Sequence, residues 1–104
     1  MNDWLRSIDA ERLRLAESDN PGRVRTIARR MAGMALHHHY GIAAGDFLAV
    51  LKRCVLDDAV PAEVRSAAER LSARLDAAFV SPSTDPVGDA TTIIEFVRHL
   101  HRTA

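Results

Sequence analysis

The stretch PAEVRSAAERLSARLDAAF, Pro61 to Phe79, decides the fold. Val64, Ala67, Ala68, Leu71, Leu75 and Phe79 recur at spacings of three and four, the period at which side chains return to one face of an α-helix. Pro61 stands in the first turn, where its missing N–H removes no helical bond, and Glu63 puts a carboxylate beside the positive end of the helix dipole. A helix with one apolar face has to bury that face against a partner element, so the neighbouring segments must supply partners.

Upstream, DFLAVLKRCVL (Asp46 to Leu56) places Phe47, Leu48, Leu51, Cys54 and Val55 on one side of a helix of about three turns. DDAVP separates it from the helix after Pro61. Before Gly41 and Gly45, PGRVRTIARRMAGMALHHHY reads as a longer helix over 21–40, capped by Asn20 and stopped by Gly41. Its inner stripe is Val24, Ile27, Ala28, Met31, Met34 and Ala35, and the small residues Ala28, Ala32, Gly33 and Ala35 permit close approach of a neighbour. The opening segment NDWLRSIDAERLRLAES gathers Trp4, Leu5, Ile8 and Leu15 on one side and leaves Arg6, Glu11, Arg14 and Glu17 outside it, with Asn2 or Asp3 as cap and DNPG as the break.

Downstream, SPSTDP is a loop in which Ser83, Thr84 or Asp85 caps the last helix. That helix, VGDATTIIEFVRHLHR, carries Val87, Ala90, Ile94, Val97 and His101 along one line, with Ile93 and Leu100 beside it. Thr91 to Ile94 favour strands, but four residues do not overrule the surrounding helical period. Short loops between amphipathic helices make antiparallel neighbours. The expected fold is therefore all-α, an up-and-down antiparallel bundle of four to five helices, with all 104 residues in one domain.

Apolar residues form 47% of the chain and charged residues 27%, enough burial to offset the ordering entropy. With 14 basic and 14 acidic residues there is no overall field to draw the chain to nucleic acid or to a membrane surface. Its apolar runs fall far short of the roughly 20 residues that span a bilayer. One cysteine makes no internal disulfide and no apolar leader opens the chain, so the expected compartment is the cytoplasm.

The only basic concentration is Arg23, Arg25, Arg29 and Arg30, with no acid between Arg23 and Tyr40. Guanidinium forks suit phosphates or an acidic partner, and Tyr40 could add a stacking surface. The reading we favour is a solvated face paired with Glu11, Glu17 or acids of the fourth helix. His37, His38 and His39 point about 100° apart on a helix and cannot converge on one ion, so they read as helix-end histidines that complement the dipole. His99 and His101 diverge likewise. Asp57 and Asp58 read as turn residues and Cys54 as a small core hydrophobe. No metal or cofactor is expected.

Three segments carry a family resemblance. WLRSIDAERLRLAE with GRVRTIARRMAGMALHHHY resembles the first hairpin of the HEPN (higher eukaryotes and prokaryotes nucleotide-binding) domains; DFLAVLKRCVLDDAVPAEVRSAAERL resembles their middle, and DPVGDATTIIEFVRHLH their closing helix. The resemblance implies a helical bundle that forms a homodimer, with a small nucleotidyltransferase as a partner in a toxin–antitoxin or regulatory pair. Members that cleave RNA carry an Arg and a His with four to six residues between them, ahead of or within the closing helix. Between Leu71 and Val97 this chain has Arg74 but no histidine. Arg30 and His37 have the required separation and share a helical face, but lie on the second helix. The expectation is a non-catalytic module working by self-association or by binding a partner protein. The alternatives are a metal-independent RNase using Arg30 and His37, or a nucleotide-binding module using the arginine-rich helix.

Overall fold

The local signals at Asn20, Gly41, Asp46 and Asp85 act where the sequence puts them, but the fourth helix does not run unbroken to Phe79: Pro61 is its cap, it ends at Ser72, and Ala73 is extended. In a computed structural model, which describes residues 3–42, 45–73 and 83–101, the chain forms α1 (Asp3–Ala16), α2 (Pro21–Tyr40), α3 (Phe47–Val55), α4 (Ala62–Ser72) and α5 (Pro86–His101). No strand occurs among the described residues. The Asn20 side chain accepts from the Arg23 N–H at 3.2 Å, and Asp46 accepts from Leu48 at 2.9 Å. Of the three candidate caps for α5, Asp85 acts, accepting from the Gly88 N–H at 3.0 Å. Gly41 closes α2 with a left-handed φ of 68°; its N–H bonds to the His38 carbonyl while that of Ile42 bonds to His37, a paired arrangement that satisfies two terminal carbonyls. Asn2, Leu75 and Phe79 lie outside the described residues.

α1 runs against α2, with Trp4 stacked on His38 and Glu11 meeting Arg30. α4 runs against α5: Pro61 and Val64 line one groove with Phe96 and Leu100, while Arg70 reaches Asp89. Short α3 crosses α2 from Gly33 to Tyr40. That crossing consumes one reversal of direction, so α2 and α5 lie side by side with their C-terminal ends together. Their His39 and His101 rings come within 3.0 Å.

The crossing depends on Gly33. A Cβ there would stand 2.3 Å from Phe47 Cδ1 and 2.7 Å from Phe47 Cβ, so only a hydrogen lets α3 approach this closely. Behind it one core joins all five helices, from Ile8 through Met31, Leu36 and Leu51 to Leu71 and Ile93. Val64, Leu71, Ile94 and Val97, on which the helical reading rests, are all buried.

Two faces differ from the sequence reading. On α3, Val50 is buried with Leu51 and Cys54, while Phe47, Leu48 and Val55 are only partly covered. On α1, Glu11 lies inside, 5% exposed, and not on the outer face. The cause is Arg30 on α2, whose Nε and Nη2 donate to Glu11 Oε1 at 2.9 and 2.8 Å. A buried carboxylate needs such a partner to stay charged.

Candidate functional site

The arginines of α2 point outward from the core stripe, yet most of them end on acceptors supplied by the chain itself. Arg25 Nη2 donates to the Ala73 carbonyl at 2.9 Å. Arg29 Nη2 donates to the same oxygen at 2.9 Å, and its Nε donates to the Leu71 carbonyl. These are carbonyls at the C-terminal end of α4, where a helix leaves its last acceptors unpaired and carries partial negative charge. Two guanidinium groups therefore clamp the end of α4 to the start of α2. Their acceptors are main-chain carbonyls and not the acids of the fourth helix that the sequence suggested. Burial, followed by repulsion from Arg25, lowers the Arg29 pKa from its ordinary value. The group stays charged regardless.

Arg30 is committed to Glu11. Arg23 is exposed beside the α1–α2 turn, with Arg14, Glu17 and Asp19 around it. Tyr40 stands seventeen residues further along α2, about 25 Å away at the helical rise. Its hydroxyl donates to Asp57 Oδ2 at 2.7 Å, and Arg53 covers its ring at 4.1 Å. The structure thus brings Arg25 and Arg29 together but does not gather Arg23, Arg25, Arg29, Arg30 and Tyr40 into one site. Burial and the bond to Asp57 raise the Tyr40 pKa, and that same bond lowers the pKa of Asp57.

Arg30 and His37 do share a face of α2, and Phe47 occupies it. The Phe47 ring lies 6.0 Å from the Arg30 guanidinium carbon and 5.0 Å from the His37 ring. Asp57 Oδ1 accepts from the Ala59 N–H at 3.0 Å in a local turn, while Asp58 is exposed and faces Arg65 at 3.7 Å. Cys54 is fully buried in the core, with its thiol pKa pushed up to about 11, chiefly by burial.

The three consecutive histidines fan out as 100° steps require. His37 turns to Phe47 on α3, His38 stacks on Trp4 of α1 at 4.9 Å, and His39 packs edge-on to Phe96 of α5 at 5.5 Å. Sequence reasoning missed that the last turn of α5 supplies a further ring to this group. His101 shares a hydrogen bond with His39 at 3.0 Å and meets His38 edge-on at 5.0 Å. No sequence spacing could signal the meeting, which depends on α2 and α5 pointing the same way. Among the described residues no group of three or more His, Cys, Asp or Glu side chains is arranged to hold a metal ion.

Burial and then His101 lower the pKa values of His38 and His39, with Asp57 opposing the shift at His39 and Arg53 adding to it. A lowered imidazole pKa means that the unfolded chain binds protons more readily, so stability is complete above the ordinary value near 6.5 and is lost as the pH falls through it. Urea unfolding midpoints should therefore fall between pH 7.5 and pH 5. His101→Asn should flatten part of that fall, and an unchanged slope would show that repulsion from His101 does not contribute to it.

Sequence reasoning also missed a buried polar network at the start of α5. Asp89, only 9% exposed, accepts from Arg70 Nη2 at 2.7 Å, from Arg70 Nε at 3.1 Å and from the Ser83 hydroxyl at 2.6 Å. Within this group no histidine activates Ser83, and the arrangement anchors the start of α5 to α4.

An open groove of about 570 Å³ runs between α4 and α5, with Pro61, Val64, Phe96 and Leu100 along it and Glu63 and Glu95 among its polar lining. No helix among the described residues is long and apolar enough to cross a membrane.

No protein-family model, curated protein or solved structure matches this chain.

Proposed function

We propose that this chain is a non-catalytic, HEPN-like helical module that acts by association, with itself or with a partner protein. The observation that carries the reading is the commitment of Arg30: its guanidinium donates twice to Glu11, and the face it shares with His37 is occupied by Phe47. A transition-state cation has to be available to developing charge, and this one already neutralises a buried carboxylate. Leu56 and Leu100, by contrast, are 82% and 54% exposed. Leu100 borders the α4–α5 groove, and large exposed apolar side chains suit protein contact better than they suit chemistry. The resemblance to HEPN domains adds a small nucleotidyltransferase as the class of partner, in a toxin–antitoxin or regulatory pair.

A second reading, an RNase of the toxin type, is favoured by one observation: Arg30 and His37 both face the Phe47 ring, so displacing Phe47 would open a face bearing both groups. RNA incubated with wild type, Arg30→Ala and His37→Ala separates the readings. We expect equal, background-level cleavage by all three proteins. Cleavage by wild type that both substitutions abolish, in variants with unchanged helical circular dichroism, would overturn the association reading.

A further inference from the structure

We propose that His39 and His101 form a two-imidazole site for a divalent transition-metal ion of the copper(II) or nickel(II) class, at the joined C-terminal ends of α2 and α5. The proposal goes beyond the association reading and does not depend on it. Neither histidine run chelates within its own helix; this pair forms only across two helices. His39 Nδ1 and His101 Nε2 stand 3.0 Å apart although the residues are 62 positions apart in the chain. One nitrogen donates and the other accepts, so a single proton is held between two ring nitrogens.

That separation is also a ligand spacing. Imidazole nitrogens bind divalent transition ions at about 2.0 to 2.1 Å, so two of them stand about 2.9 Å apart at a right angle and about 3.3 Å apart in a tetrahedron. The observed 3.0 Å lies close to the right-angled value, the angle between neighbours in the square-planar or tetragonal coordination of copper(II) and nickel(II). The ion sits to one side of the line joining the nitrogens, so the rings have to turn toward it. His101 is exposed and His39 half-buried, which leaves His101 room to do most of that turning. Both imidazoles then stay neutral, with their protons on the far nitrogens, His39 Nε2 and His101 Nδ1.

The surroundings suit a cation. α2 and α5 both end here, and the C-terminal end of a helix carries partial negative charge. Asp57, kept ionised by the Tyr40 hydroxyl and the Ala59 N–H, attracts positive charge at His39. Arg53 opposes it from α3, lying over the Tyr40 ring. Trp4 from α1 and Phe96 from α5 bring ring faces without charge. His38 meets His101 edge-on but is stacked on Trp4, so the chain supplies two ligands and water fills the other positions. Such a site exchanges its ion, unlike a closed structural centre.

Isothermal titration calorimetry of the intact, untagged chain with copper(II) and with nickel(II) tests this, with circular dichroism to confirm the fold of each variant. One ion per chain is expected, copper(II) bound more tightly than nickel(II). His39→Asn and His101→Asn should each weaken binding at least about tenfold, since even a group behind a metal ligand is worth that much. His99→Asn, whose side chain lines the α4–α5 groove, should leave the affinity unchanged. Nickel(II) should raise the melting temperature of wild type and His99→Asn but not of the other two variants, because the pair exists only in the folded chain. No binding by wild type at about 1 mM ion would overturn the site. So would an affinity unchanged in His39→Asn or His101→Asn, or one lowered as much by His99→Asn, which would mean ions scattered over surface imidazoles.

Discussion

Asp89→Ala should lower the stability of the fold by about 3 kcal/mol, near the lower end of the range for breaking a buried ion pair. The carboxylate is 9% exposed and accepts three close hydrogen bonds, two from Arg70 and one from the buried Ser83 hydroxyl. Removing it takes away one partner of the hydroxyl and leaves the guanidinium without its counter-charge. The Arg70 side chain is 44% exposed, so water recovers part of the loss and the effect stays below that of a fully buried pair. Arg70→Ala should cost less, about 1.5 kcal/mol, because Ser83 still donates to Asp89. Urea denaturation measures both. An Asp89→Ala midpoint equal to that of wild type would show that the network does not hold the start of α5.

Arg29→Ala should cost about 2 to 3 kcal/mol, the largest loss expected at any α2 arginine, through two hydrogen bonds from a charged donor and the packing of its aliphatic stem. Its Nε and Nη2 span the Leu71 and Ala73 carbonyls. Arg29→Lys should restore little, because an ammonium is a point donor and cannot bridge two acceptors as a planar fork does. Arg25→Ala should cost less, since Arg25 reaches only Ala73 and Arg29 remains on that oxygen. The two losses should not add, because the side chains share an acceptor. Thermal or urea unfolding of the singles and the double variant checks this; full rescue by Arg29→Lys would show that charge alone matters.

These two clamps explain what could and could not be read along the chain. Most helix ends were readable because their causes are local; the end of α4 at Ser72 was not, because the apolar period continues in the sequence to Leu75 and Phe79. Asn20, Pro21 and Gly41 mark the ends of α2 within a few residues of the backbone groups they satisfy, and the burial of Val64, Leu71, Ile94 and Val97 follows from spacing alone. The divergence of His37, His38 and His39 was readable for the same reason.

Pairings between helices were not readable. Glu11 looked like a surface acid on α1, and only the crossing of α1 with α2 turns it inward to Arg30. Asp89 with Arg70, and His39 with His101, join positions whose meeting depends on the route of the chain through α3. The arginine-rich start of α2 has the composition of an anion site. A helix-end clamp has the same composition, and only the placement of the Leu71 and Ala73 carbonyls tells the two apart.

The guanidinium groups of Arg25, Arg29 and Arg30 are bound to the protein's own acceptors and are not kept free for a ligand. Arginine Nε–H NMR signals, recorded with and without an RNA oligonucleotide, test it most directly. Slow solvent exchange at Arg29 and Arg30, with no change on adding RNA, is the expected result. Fast exchange at both positions, together with RNA-induced shifts, would contradict it.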